Sequence, residues 1–228
     1  MIWLAAAALI GMSAKEVRSV DIYVTPYYSS AAKASKRVVR VDPRIDALLK
    51  SDRPEDVVKA RDQVLADPAL VSPITMMVLA SRLYDVGERD DAVFWFYVAK
   101  DRYMTVAGVF VGFDRGGMFS GGAEVASAMG AFVQLAGPTI NSYAFCNVAK
   151  QQMLRRKAYD WVVANPYQAL FAPELAAKAE DRTALLTVAL GKIRGGMEQE
   201  TAYLADPENI AKLAARRAEN KVEAAFCW

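Results

Sequence analysis

Histidine is absent from this sequence of 228 residues. Its absence excludes Ser-His-Asp and Cys-His nucleophilic catalysis, HExxH zinc chemistry and histidine-ligated haem or iron. Any catalysis would have to use carboxylates, hydroxyl groups or lysines. We therefore expect neither a metal site nor a cofactor, and the sequence alone does not select an activity.

Neither sign of charge is in excess, because 28 Lys and Arg balance 26 Asp and Glu and leave a formal charge of +2. Nucleic-acid-binding domains are usually strongly basic, so we expect no nucleic-acid partner. The 13 glycines and 9 prolines are too few for a collagen-like or low-complexity chain. With 54% apolar residues, the composition is that of one globular domain.

The amino-terminal apolar run is about ten residues long, short of the ~20 that span a bilayer. It has the length of a signal-peptide core, and Gly11 and Ser13 supply small residues before a cleavage site at Ala14. No Lys or Arg precedes the run, and a buried N-terminal helix is the alternative. The prediction is a signal peptide over residues 1–13, a periplasmic or secreted protein, and no integral membrane span.

Only two cysteines are present, Cys146 and Cys227, and they are 81 positions apart. An even cysteine count in an exported chain allows one disulfide, which would tie the C-terminal tail to a central helix. Two free buried thiols are the alternative. The prediction favours the bridge, and no CxxC redox or zinc pattern is present.

The pattern of apolar residues predicts an all-α fold. Residues 14–42 are expected to form an extended arm, because 17–24 and 37–41 are rich in β-branched residues and could pair as a hairpin. Residues 43–228 are expected to form a single α-helical domain, an irregular array of helical hairpins. Helices are expected to start at Asp42-Pro43, at Pro54, at Ser72-Pro73 and at Asp90 or Asp91, the last running to about Tyr103. Later helices are expected at 123–135, 138–164, 173–192 and 207–225.

One segment has a more specific spacing of small and large residues, set by Leu79, Ala80, Leu83, Gly87, Ala92, Phe96 and Ala99. Residues 73–104 thereby resemble one unit of the tetratricopeptide and Sel1-like helical-hairpin repeats. The segment departs from the repeat at Met76, where the repeat usually has Trp, and at Met104, where it usually has Pro. The resemblance implies protein or peptide binding on a concave surface, and an ordinary helical bundle is the alternative.

Two groups of residues are candidate partner-binding sites. The aromatic run 94–97 points in four directions on a helix, so Trp95 or Tyr97 is expected to contact another helix, a partner or solvent. Six glycines lie between residues 108 and 122 without a phosphate-binding frame. This stretch is expected to be a partner or lid loop, or a connection without a role. The apolar and charged residues proposed there are Phe110, Phe113, Arg115 and Phe119.

The function that these features favour is non-catalytic protein binding in the periplasm. An immunity or inhibitor protein for a secreted toxin is one concrete form of it. A second hypothesis is a cell-wall or glycan-acting hydrolase that uses carboxylates such as Asp114 and Glu124. A third is a structural subunit of an envelope assembly. The sequence predicts a protein partner without identifying it and does not predict an oligomeric state.

Overall fold

Helices dominate the structure, a computed structural model that describes residues 43–113, 121–173 and 175–228. Within these residues there are nine α-helices, and the all-α fold class is confirmed. In chain order they are α1 (Pro43–Leu49), α2 (Pro54–Ala66), α3 (Pro73–Asp85), α4 (Arg89–Val109), α5 (Gly121–Ala144), α6 (Val148–Ala164), α7 (Arg182–Ala205), α8 (Pro207–Glu219) and α9 (Val222–Phe226). Short 3-10 helices cover Pro68–Leu70 and Gln168–Phe171. The predicted signal peptide (1–13) and extended arm (14–42) lie outside the described residues.

Proline determines several of the helix starts. Pro43, Pro54, Pro73 and Pro207 each occupy the first position of a helix, where a missing N–H costs nothing. The Ser72 hydroxyl accepts from the backbone N–H of Thr75, so α3 also has a capping side chain. These four starts agree with the sequence-based expectations.

The centre of the fold is α4, which packs against α3, α5, α6 and α7. It forms a hairpin with α3, and the turn between them places Gly87 at φ +93°, a conformation that glycine adopts without strain. Ala80 and Ala92 are fully buried where the two helices approach. A helical hairpin therefore occupies the segment that resembles the tetratricopeptide unit, and the assignment to that repeat stays a prediction.

Several predicted boundaries are wrong. The expected break near Pro138 does not occur, because α5 continues through this proline to Ala144 and loses only one backbone hydrogen bond there. The next helix begins instead after Asn147, whose side chain accepts from the backbone N–H of Lys150. The helix expected at 173–192 is displaced to α7, which starts where Asp181 caps the N–H of Ala184.

The ends of other helices also differ from the expectations. The central helix α4 starts at Arg89 and runs to Val109, so it is longer at both ends than expected. The segment expected as one helix at 207–225 is two, because Lys221 adopts a left-handed conformation (φ 52°) between α8 and α9. In the part of the chain that is described, the extended pairing is a single antiparallel bridge between Phe110 and Ala177. None of the described helices is long and apolar enough to cross a membrane.

Candidate functional site

A cleft of about 360 Å³ lies beside the central helix α4, where α5, α6 and α7 converge on it. We call it the cleft throughout. Its walls combine charged, amide, thioether and aromatic side chains. The lining residues are Tyr97, Lys100, Asp101, Met104, Asn141, Phe145, Arg155, Lys192, Ile193, Gly196, Met197 and Glu200.

Helices α4 and α7 supply most of the residues that line the cleft, because helical periodicity places these residues on one face of each helix. On α4, Tyr97, Lys100, Asp101 and Met104 recur at i, i+3, i+4 and i+7, which places them on one helix face. On α7, the lining residues between 192 and 200 follow the same kind of spacing. The cleft is therefore a space between two facing helical stripes.

The distance between α4 and α7 is set by a close contact at Gly108. A Cβ atom at this position would lie 2.6 Å from the Cβ atom of Ala189, well inside van der Waals contact. The two helices can approach this closely only because residue 108 has no side chain. This crossing lies one turn beyond Met104 and fixes one end of the cleft.

A buried ion pair stiffens the wall of the cleft. The Arg155 guanidinium donates to both carboxylate oxygens of Asp101, with Nη1–Oδ2 at 2.5 Å and Nη2–Oδ1 at 2.9 Å. Burial raises the pKa of the Asp101 carboxyl, and the neighbouring Arg155 opposes that rise. The two-pronged geometry holds α4 against α6 and leaves both carboxylate oxygens occupied.

A buried amide holds a second part of the wall. Gln151 on α6 is almost completely buried, and its Nε2 donates to the Tyr97 hydroxyl (2.9 Å) and to Oε1 of Glu200 (2.8 Å). Burial raises the pKa of Tyr97 to about 12, so the phenol is neutral at physiological pH. One amide group on α6 thus connects α4 and α7 through two side chains that line the cleft.

Lys100 is the half-buried cation of the cleft. Its ammonium lies 5.4 Å from the ring centroid of Phe96 and 5.9 Å from that of Tyr97. Burial lowers the pKa of Lys100, and the positive charge of Arg155 lowers it further, against the carboxylates of Asp101 and Glu200. The charged form of Lys100 is therefore less stable in the cleft than it would be in water.

The structure corrects the expectation that Trp95 is a partner-binding anchor. Only 1% of its surface is exposed, and its ring packs edge-on against Phe94 and Trp161, each with centroids 5.2 Å away. Tyr97 is also buried, at 5% exposure, so it is not an exposed anchor, although one part of it lines the cleft. All four residues of the aromatic run are buried, although they point in different directions, because other helices pack around this part of α4. Contact with another helix was one of the alternatives that the sequence left open.

The residues proposed in the glycine-rich stretch have different environments. Phe110 is buried in a small apolar cluster with Tyr167 and Leu170, so it is not an exposed contact residue either. Phe113 is half-buried, with its ring centroid 6.1 Å from that of Phe110. The other two proposed residues, Arg115 and Phe119, lie outside the described residues, as do Asp114 and the side chain of Glu124.

The predicted disulfide is confirmed. Cys146 and Cys227 are bonded, with their Cα atoms 5.5 Å apart, and the bridge joins the α5–α6 turn to the segment after α9. The buried Arg217 lies against it, with Nη2 3.3 Å from the Cys227 sulfur and 3.6 Å from the Cys146 sulfur. The same guanidinium donates to the Ser142 carbonyl and to the Glu223 carboxylate. The carboxyl-terminal helices are therefore fixed to the body by covalent and polar contacts.

Most of the cleft was not predicted from the sequence. Tyr97 was named there, but Lys100, Asp101, Lys192 and Glu200 were not. The sequence pattern that pointed to the cleft was the i, i+3, i+4, i+7 stripe on α4, because it mixes charged and apolar residues instead of being purely apolar. The facing stripe on α7 could not be matched to it, because the predicted boundaries of that helix were wrong. Among the described residues, no group of acidic side chains and cysteines is arranged to hold a metal ion.

Comparison with known proteins finds a relative that aligns with nearly the whole of this chain. An uncharacterized protein of Haemophilus influenzae is 35% identical to this chain over 221 residues, which are 97% of this chain and 83% of the relative. No family model matches the chain, and no solved structure matches it. The description of the relative names no activity, ligand or partner, so the function has to be argued from the geometry.

Proposed function

This chain belongs to the same family as the uncharacterized Haemophilus influenzae protein, and we propose that it is a non-catalytic protein-binding protein of the periplasm whose cleft receives its partner. The observation that carries the proposal is the cleft itself. Its combination of apolar walls with a few fixed polar groups is typical of binding sites. Its volume of about 360 Å³ suits a few side chains of a partner.

The resemblance of residues 73–104 to helical-hairpin repeats supports binding of a protein over binding of a small molecule. That resemblance implies recognition on a concave surface, and the second helix of the hairpin, α4, contributes one wall of the cleft. Met104 lies on this wall and is 48% exposed. Methionine adapts its shape to different apolar partners, so its exposure suits a recognition surface.

The state of the carboxylates supports binding over hydrolysis. Acid-base catalysis needs a carboxyl group with an oxygen free to exchange a proton with the substrate. In the cleft, Asp101 accepts from Arg155 through both oxygens, and Glu200 accepts from the buried amide of Gln151. Asp101 therefore has no free oxygen. Among the described residues that line the cleft, this leaves one carboxylate, Glu200, with an oxygen available, whereas glycoside hydrolysis uses two carboxyl groups.

The disulfide supports the proposed compartment. Disulfides persist in oxidising environments such as the bacterial periplasm and are rare in the cytosol. The bond between Cys146 and Cys227 is therefore compatible with an exported protein. Within this proposal, an immunity or inhibitor protein for a secreted toxin remains one concrete form, and the identity of the captured partner would distinguish it from a subunit of an envelope assembly.

Site-specific photocrosslinking in living cells tests the proposal. A photoreactive phenylalanine analogue replaces Met104 in the cleft in one strain and Met153, which is exposed on α6 outside the cleft, in another. We expect a discrete protein adduct in the periplasmic fraction from position 104 and none of that mass from position 153. Adducts of the same pattern from both positions, or none from position 104, would contradict the proposal.

A further inference from the structure

The charges that line the cleft are unequally paired. Three cations face two carboxylates: Arg155 pairs with Asp101, which leaves Lys100 and Lys192 facing the single charge of Glu200, one oxygen of which accepts from Gln151. Within the part of the chain that the structure describes, the side-chain ammonium groups of Lys100 and Lys192 make no hydrogen bond and no ion pair. Two ammonium groups in one cleft are thus available to a ligand.

The Lys100 ammonium would gain more from an anionic ligand than a fully exposed lysine would, because it is half-buried. A half-buried ammonium without a hydrogen-bond acceptor has lost part of its hydration. Two aromatic rings, 5.4 and 5.9 Å away, and the charges of Asp101 and Glu200 offset this loss only in part. The lowered pKa of Lys100 reflects the same deficit. An anionic group that enters the cleft would restore the missing acceptor, and Lys192, which is exposed on α7, would supply a second donor.

The apolar residues of the cleft indicate which chemical group a ligand carries besides its negative charge. Met104, Ile193 and Met197 present apolar surface beside the two lysines, and Phe145 lies at the α5–α6 turn. A free inorganic anion would leave this surface uncovered. A ligand that joins a negative charge to an apolar group would use both parts of the cleft.

We propose that the cleft recognises a short polypeptide segment of the partner in which an Asp or Glu carboxylate lies beside a large apolar side chain. The carboxylate binds Lys100 and Lys192, and the apolar side chain packs on Met104, Ile193 and Met197. This inference rests on the proposed function and adds the chemistry of the segment that is bound.

Peptide selection tests this chemistry directly, because it does not require the partner to be identified. Random octapeptides displayed on phage are panned on the immobilised full chain, and enriched sequences are synthesised and measured by fluorescence anisotropy. We expect enriched peptides to place Asp or Glu beside Leu, Ile, Met or Phe. Replacement of that acid by its amide should weaken binding ~10-fold or more, which is the expected size of one charge-assisted hydrogen bond.

Matched variants link the effect to the two lysines. Lys100→Gln and Lys192→Gln should each weaken peptide binding ~10-fold. Arg194→Gln, which removes an exposed cation two residues from Lys192 and outside the cleft, should leave it unchanged. Thermal unfolding of each variant checks that the fold is retained.

Three outcomes would overturn the inference: no enriched peptide, enriched peptides without acids, or lysine variants that bind as the wild type does. Equal affinity for a short single-stranded DNA would also overturn it, because the cleft would then recognise negative charge alone. The crosslink at position 104 separates the two proposals. If it forms and is unaffected by Lys100→Gln and Lys192→Gln, the inference fails and the proposed function stands. If no crosslink forms, the proposed function fails.

Discussion

Loss of the Cys146–Cys227 disulfide should destabilise this protein strongly, because the bond closes a long loop. The two cysteines are 81 residues apart. In the chain-entropy account, a loop of this length restricts the unfolded chain by about 4.5 kcal/mol at 25 °C. That is a large part of the ~5–15 kcal/mol by which a domain is normally stable.

The native contacts around the bridge do not depend on the covalent bond. Arg217 donates to Ser142 and Glu223, and Trp228 stacks on Arg89, with the guanidinium carbon 3.8 Å from a ring centroid; we expect these contacts to persist when the sulfurs are replaced by oxygens. We therefore expect a Cys146→Ser/Cys227→Ser variant to fold with the same helix content. Its free energy of unfolding should nevertheless be lower, because the unfolded chain gains conformational entropy when the loop is no longer closed.

The assay is thermal unfolding followed by circular dichroism, with and without a phosphine reductant. At ~2–4 °C per kcal/mol for a chain of this size, we expect the Tm to fall by about 9–18 °C on reduction. The double serine variant should show the lower Tm in both conditions. A wild-type Tm that does not respond to complete reduction, with thiols confirmed by mass, would refute the loop-closure argument.

Two further predictions concern packing and pH. Gly108→Ala forces a Cβ atom to within 2.6 Å of Ala189 and should cost ~1–3 kcal/mol in urea unfolding. Gly130→Ala, whose Cβ meets nothing within 4 Å, should be neutral or stabilising, so equal losses would contradict the close helix crossing. Burial raises the pKa of Tyr97 and Tyr167 to about 12, so the unfolded chain, with phenol pKa values of about 10, loses these protons first. Stability should therefore fall between about pH 10 and 12, by up to about 3 kcal/mol for each tyrosine, and Tyr167→Phe should show a shallower decline than the wild type.

Apart from the disulfide, the features that were predicted correctly from the sequence are local ones. Proline at the first helical position fixes φ and needs no N–H partner, so the starts at Pro54, Pro73 and Pro207 depend on few distant residues. The disulfide could be proposed from an even cysteine count. The large share of helix followed from the spacing of apolar residues along most of the chain.

The features that were missed depend on packing between distant segments. Trp95 could be core or surface until the position of α6 was known, because its ring is buried against residues distant in sequence such as Trp161. Pro138 normally indicates a helix end, and only the surrounding structure shows that α5 tolerates it. The cleft needs the stripe on α4 to face the stripe on α7, which is 92 positions away when Lys100 is compared with Lys192. No local pattern contains that pairing.

Hydrogen exchange of the full chain, alone and with the partner captured by crosslinking, tests the central claim most directly. The claim is that a protein partner binds in the cleft between α4 and α7. We predict slower amide exchange on binding in peptides that cover residues 97–104 and 192–200, with unchanged exchange around Met153. Protection elsewhere with no change at these two helix faces would contradict the claim.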